Sequence, residues 1–375
     1  MKDERYDLAV VGAGIVGLAH ALMAARRGMK VVVVDRDAGA NGASVRNFGF
    51  VTVTGQQHGE CWRRARRSRD VWAEIAGPAG IEVAQRGLAV AARYAESLPV
   101  LEAFLETEMG EGCMLQTLDE ARKTVPRLRD NVRAVLRSPH ELRVESRDAI
   151  PQLAAYLERD HGVAFLRRAQ VQGIALPAIE TSAGTVRAEA AVVCPGDDFL
   201  SLYPERIAAY GLTRCKLHMM RLKPPAGAAL GTAVMSDLGL VRYLGYAELP
   251  QAAALKARLE RERADALEAG VHLIVVQSSD GSLVVGDSHH YGWTPEPFAS
   301  EAVDRLILDE FDNVLDMGAY EVTERWTGIY ASASDRLMLV DAPEDRVRLV
   351  IVTSGTGAST AFGIAEEVID GMFGA

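Results

Sequence analysis

Apolar and polar positions fall into blocks that define the two ends of the chain first. Leu8 to Val11 is a short apolar run of the kind a parallel sheet buries on both faces, and Gly12-Ala13-Gly14-Ile15-Val16-Gly17 follows it directly. Helical apolar spacing then runs to Arg27, Gly28 stands where a helix cap belongs, and Met29 to Val34 reads as a second strand ending in Asp35. The far end repeats the scheme. Val347 to Val352 is an apolar strand, Thr353 to Thr360 a Gly/Ser/Thr turn, and 361–372 a closing helix.

Between these units the pattern is more broken. Residues 39–59 read as a long loop, 60–76, 95–108 and Asp148 to Arg159 as helices, and 251–269 as a charged surface helix. Val163 to Leu166, Val171 to Leu176 and Ala190 to Cys194 read as strands, the last followed by a Pro195-Gly196 turn. Residues 213–223, 239–246, 271–277 and 283–287 are strand-like. The two end units can be neighbours in one sheet, so the predicted fold is α/β. It has a discontinuous Rossmann-like nucleotide domain (1–87, 141–212 and 325–375) carrying an inserted β-rich α+β substrate domain (88–140 and 213–324).

Composition narrows the function classes. At 375 residues with 49% hydrophobic and 25% charged positions, the chain has the makeup of a folded globular protein of about two domains. A net charge of −10 disfavours nucleic-acid backbones, and the basic cluster Arg63, Arg64, Arg66, Arg67 and Arg69 reads as a solvated helix face. Cys61, Cys113, Cys194 and Cys215 are isolated, which argues for a reducing, cytoplasmic setting and against a disulfide framework or a metal centre. Leu8 to Ala25 lacks charged residues but contains Gly12, Gly14, Gly17 and His20, so neither a membrane span nor a signal peptide is expected.

The glycine spacing at the first turn carries a mechanism. Gly12 permits the tight turn, Gly14 lets a pyrophosphate approach the backbone, and Gly17 lets the helix pack close to the strand. Asp35, with Arg36 beside it, ends the second strand where a carboxylate meets ribose hydroxyls and repels a 2′-phosphate. At that point NAD and FAD both remain open. The second turn favours a flavin, because a helix starting near Gly357 points its positive end at the anion that builds up on a reduced isoalloxazine. Ser44 and Asn47, taken alone, read as loop-turn residues.

Five segments together carry a resemblance: the opening unit, Gly42-Ala43-Ser44-Val45-Arg46-Asn47-Phe48-Gly49-Phe50, Val192-Val193-Cys194-Pro195-Gly196, Trp326-Thr327-Gly328 with Asp335, and Ser354-Gly355-Thr356-Gly357. In this order they resemble FAD-dependent amine oxidoreductases of the D-amino-acid, glycine and sarcosine oxidase family, over essentially the whole chain. The resemblance implies that Ser44, Asn47 and Gly49 lie beside the flavin, with Phe50 close to the substrate. It implies that Val171 meets the adenine, that Gly196 lies near the pyrophosphate, and that Gly355, Thr356, Gly357 and Ala358 line the pyrimidine edge. Members that act on amino-acid carboxylates commonly have an arginine after the Trp-x-Gly stretch, where this chain has Tyr330. No cysteine follows Cys215, so FAD is expected to be held without a covalent bond.

The missing arginine resembles a subgroup associated with aminophosphonate breakdown, which implies 2-aminoethylphosphonate or its N-methyl form as substrate. A phosphonate calls for several donors, and the candidates are Arg46, Lys216, His218, Arg242, Tyr243, Tyr246, His289, His290 and Tyr291, with His289-His290-Tyr291 after Gly286 the first choice. The expected chemistry is hydride transfer from the carbon beside a neutral amine to flavin N5, followed by imine hydrolysis to an aldehyde. No obligatory acid or base side chain is named, and O2 or another acceptor takes the electrons. The competing readings are a glycine, sarcosine or D-amino-acid oxidase, a FAD-binding subunit that passes electrons to a partner, and an NAD-dependent dehydrogenase.

Overall fold

In the computed structural model, which describes residues 4–374, the two end units meet in one sheet. Its strands run in the order Met338–Glu344, Val347–Val352, Gly184–Val193, Arg5–Val11, Val31–Asp35 and Ala164–Arg167. All are parallel except the first, and Val10 sits opposite Val33 on one side and Val192 on the other. Near-continuous valine and leucine runs suit strands covered on both faces. A hairpin of Val171–Ala175 and Ala178–Thr181 adds to the edge of Gly184–Val193.

Helices Ile15–Arg26, Glu60–Ala79, Ser146–His161 and Gly357–Phe373 cover one face. The expected helices are present, except that 251–269 breaks at Arg263 into Ala252–Glu262 and Ala264–Glu268, and the last helix starts four residues earlier than its apolar spacing suggests. Trp72 and Phe362 join two of them edge to face at 5.3 Å. Four of the five clustered arginines on Glu60–Ala79 make ion pairs, Arg64 with Glu60 and Glu367, Arg66 with Glu111, Arg67 with Glu366 and Arg69 with Asp70, which agrees with a solvated helix face.

A second, mostly antiparallel sheet runs in the order His290–Gly292, Thr213–Lys223, Leu283–Gly286, Ile274–Gln277, Ala233–Ser236, Val83–Ala92, Ala134–Val144 and Phe50–Val51. Glu321–Ser332 also pairs along Thr213–Lys223, so this strand starts before the expected boundary at 325. Phe50–Val51 likewise pairs here, although it lies inside the first expected nucleotide segment.

One expected strand is absent. Residues 239–246 form a 3-10 turn over Asp237–Val241 and a short helix over Leu244–Ala247. The Asp237 carboxylate accepts the backbone N–H of Arg93 at 2.8 Å, and Gly245 lies so close to Gln56 that a Cβ there would meet its carbonyl oxygen at 2.4 Å. Tight backbone docking thus overrides an apolar run that looks extended. Among the described residues, no helix is long and apolar enough to cross a membrane.

Candidate active site

The carboxyl ends of the parallel strands open onto one cavity of about 500 Å³, the position where open α/β sheets bind ligands. Gly12, Gly14, Asp35, Gly196 and the 354–358 turn line one stretch of it, and Arg242, Tyr243, His289, Tyr291 and Tyr330 line another.

The glycines at the first turn are required by close approach. Gly12 has φ +104°, and a Cβ there would lie 2.5 Å from the Cys194 carbonyl oxygen. A Cβ on Gly17 would lie 1.9 Å from the Gly12 carbonyl oxygen, so only glycine lets the first helix sit against the turn. Gly14 caps that helix without a side chain, and Ser44 Oγ reaches across from the long loop to accept the Ile15 N–H at 2.9 Å. The Asp35 carboxylate accepts the N–H groups of Ala13 at 2.6 Å and Asp37 at 2.7 Å, which ties the glycine turn to the end of the second strand. A shaped cavity, two helix N-termini aimed into it and a carboxylate at its edge fit a dinucleotide.

At the other end of the chain, the last helix begins at Gly357 beside the cavity. The Tyr330 ring packs over Gly355, where a Cβ would meet it at 2.9 Å. Trp72 Nε1 donates to the Ala358 carbonyl at 2.9 Å and fixes the first turn.

Of the residues expected at the cofactor, Gly12, Gly14, Gly17, Asp35, Arg36, Ser44, Asn47, Val171, Gly196 and the 355–358 turn line the cavity. Gly49 does not. Its φ of +65° and a Cβ position 1.7 Å from the Val144 carbonyl oxygen make it a packing glycine, and its N–H is held by Asn47 Oδ1 at 2.7 Å.

Of the residues expected at the substrate, Arg46, Phe50, Arg242, Tyr243, His289, Tyr291 and Tyr330 line the cavity, whereas Lys216, His218, Tyr246 and His290 lie outside it. Strand alternation explains three of these corrections. Leu217 faces the cavity, so Lys216 and His218 point the other way. There Lys216 Nζ donates to the carbonyls of Glu296 and Phe298, both at 2.8 Å, and His218 Nδ1 meets Asp304 at 3.0 Å. His289 and Tyr291 face the cavity, and His290 between them bonds Ser288 Oγ at 3.1 Å. Tyr246 lies one helical turn past Tyr243, and its ring packs at 4.6 Å from Phe104 in the core.

Arg242 is half-buried. Its Nη2 donates to the Tyr291 hydroxyl at 2.9 Å, and among the described residues it is in no carboxylate ion pair. Arg36, also at the cavity, is by contrast paired with Asp198 at 2.7 Å.

Two cavity residues were not legible from the sequence, His272 and Asp287. With His289 they form a buried group. His272 Nδ1 lies 3.3 Å from Asp287 Oδ1, and His289 Nε2 lies 3.9 Å from Asp287 Oδ2. Burial, helped by the Arg242 charge, lowers the His272 pKa to about 3 and holds that of His289 well below the usual value. Burial also raises Asp287 to about 7, against the pull of Arg242. The only sequence signal was a polar residue inside one buried apolar run and another at the end of a second, which is too common to single them out.

The sequence matches the family described as DAO, FAD dependent oxidoreductase, over residues 7–370. No curated protein sequence matches the chain. Among solved structures, the chain is similar to glycine oxidase from Geobacillus kaustophilus, with 20% identity and a TM-score of 0.77 over 98% of this chain and 94% of that one. It is similar to L-proline dehydrogenase from P. horikoshii, with 18% identity and a TM-score of 0.80 over 99% and 94%. It is also similar to the L-alpha-glycerophosphate oxidase from Mycoplasma pneumoniae, solved with FAD bound, with 14% identity and a TM-score of 0.72 over 98% and 95%. Glycine turn, strand-end carboxylate and late helix thus sit in a fold shared along the full length of these proteins, and the chain belongs to the DAO family of FAD-dependent oxidoreductases.

Proposed function

We propose that the protein oxidises the C–N bond of a small anionic amine to an imine that water hydrolyses to an aldehyde, with an aminophosphonate such as 2-aminoethylphosphonate or its N-methyl form as substrate. The observation that carries this reading is Arg242, a half-buried guanidinium at the cavity that spends one N–H on a tyrosine hydroxyl and, among the described residues, is in no carboxylate ion pair. An arginine beside a cavity with no carboxylate hydrogen-bonded to its fork fits an anionic group of the ligand, and that fork suits the several oxygens of a phosphonate. It supplies from the segment after the 3-10 turn the charge that Tyr330 does not.

Bound FAD supplies the two-electron acceptor. The chain's own residues hold the anion at Arg242 and place the Tyr243, Tyr291 and Tyr330 rings around the same stretch of the cavity, which restricts water. We infer that FAD is held without a covalent bond, because the cysteine lining the cavity, Cys194, is kept as a thiol by burial. Four free cysteines support a cytoplasmic location.

The test is an anaerobic panel of amines read by bleaching of the flavin absorbance, run on the wild type and on Arg242→Met. The expected result is fastest bleaching by 2-aminoethylphosphonate or its N-methyl form. The variant keeps the aliphatic stem and should raise the KM for the anion on the order of 10- to 100-fold, the usual cost of losing a charge-assisted hydrogen bond. Faster bleaching by glycine or sarcosine would move the substrate to an amino acid. An unchanged KM in the variant would remove Arg242 as the anchor.

A further inference from the structure

The cavity wall near Arg242 contains a buried carboxyl with an unused oxygen. Asp287 Oδ1 and His272 Nδ1 are both shut off from solvent, and neither makes a hydrogen bond among the described residues although they lie 3.3 Å apart. A buried acceptor left without a donor is costly, more so if it is charged, and such a group persists where a ligand satisfies it. Both neighbouring imidazoles are held neutral by burial, so neither supplies a positive charge to the carboxylate. His289 Nδ1 is already committed to the Gly270 carbonyl at 2.9 Å.

We propose that Asp287, set between His272 and His289, receives the ammonium group of the substrate and takes its proton. The inference rests on the reading of the cavity as an amine site and names the group that makes the amine reactive. An N–H bond of the ammonium breaks and an O–H bond forms on the Asp287 carboxylate. The electron pair stays on nitrogen, and nothing is oxidised or reduced in the step. An amine with a free pair is the form from which the neighbouring C–H can be oxidised, and a carboxyl whose pKa stands near 7 can accept that proton at neutral pH. Arg242 and Asp287 then present opposite charges along one wall, which selects a zwitterion over a simple anion. Burial raises the titration of Asp287 against the charge of Arg242, while His272, His289, Tyr243 and Cys215 face it as neutral groups.

The test pairs the amine that bleaches the flavin fastest with its counterpart lacking nitrogen, either 2-aminoethylphosphonate with ethylphosphonate or glycine with acetate. Binding is measured by calorimetry on anaerobically reduced holoenzyme, in which the amine does not react. In the wild type, affinity for the amine should fall as pH drops from 8 to 6, while affinity for the counterpart does not. Asp287→Asn should weaken the amine by about tenfold or more and spare the counterpart, and Asp287→Glu should restore part of the loss. The acidic limb of kcat/KM should disappear in Asp287→Asn. Equal loss of both ligands, or no loss of either, overturns the proposal, as does a stoichiometric divalent metal in the purified protein. If Asp287→Asn fails to fold, the wild-type pH comparison decides alone. If amines bleach the flavin and these outcomes still fail, only this inference falls. If no amine bleaches it, the amine reading falls first.

Discussion

Gly17 shows how much one hydrogen atom can specify. A methyl group there would sit 1.9 Å from the Gly12 carbonyl oxygen in the turn and 3.2 Å from a Val10 methyl on the strand under the first helix. Backbone cannot rotate aside as a side chain can, so the helix must lift off the strand. Gly17→Ala should therefore purify with little or no flavin and lose stability by roughly 1–3 kcal/mol, the usual cost of overpacking. Gly173→Ala is the matched control, because its Cβ would meet nothing within 4 Å. It should keep the wild-type ratio of flavin absorbance to protein absorbance. Equal flavin content in the two variants would refute the reading of the turn. Asp35 is less clean to interrogate, since its carboxylate holds the turn through Ala13 and Asp37, so Asp35→Ala would loosen the loop as well as any ribose contact.

At the scale of elements, the late helix is positioned by a partner far away in sequence. Trp72 is buried, stacks edge to face on Phe362 and donates to the Ala358 carbonyl in the first turn of Gly357–Phe373. Gly363 lets the two helices cross closely, and its N–H is satisfied by Ser68 Oγ at 2.9 Å. Trp72→Phe keeps most of the packing and loses the hydrogen bond, which should cost about 1 kcal/mol, whereas Trp72→Ala opens a cavity and should cost about 3–5 kcal/mol. Chemical denaturation midpoints at constant m-value would check both. The end units were legible in the sequence because a strand buried on both faces, a glycine turn and a helix each leave a local mark. Lys216, His218 and His290 were misplaced for a different reason. A residue's type says nothing about which face of a strand is the cavity face, and that is set by sheet pairings between segments tens of residues apart. Residues 239–246 were misread because Gly245 docks on Gly55 and Gln56, a contact nearly two hundred residues away in the chain.

For the molecule as a whole, burying neutral histidines ties stability to pH. His20 lies on the first helix with Nδ1 bonded to the Val16 carbonyl at 2.7 Å, its Nε2 is buried without a partner among the described residues, and burial lowers its pKa to about 4. His272 and His289 are depressed in the same way. A depressed histidine contributes stability that is fully present above its unfolded pKa of about 6.5, and this is lost as pH falls toward the folded value, because the unfolded chain takes up the proton first. Asp287 acts oppositely. Its folded pKa near 7 lies above the unfolded value of 3.8, so between those limits the folded state holds a proton that unfolding releases. Among these four groups, three histidines against one carboxyl leave a net uptake of about two protons on unfolding, each adding a slope of about 1.4 kcal/mol per pH unit, and His161 and His290, also lowered by burial, act in the same direction. Thermal midpoints at fixed flavin saturation should thus fall steadily from pH 6.5 to pH 4.5. His20→Leu should flatten the profile by removing one of the three protons, and Asp287→Asn should steepen it by removing the opposing carboxyl. A wild-type midpoint that stays level across this range would mean that these imidazoles gain their protons within the folded protein.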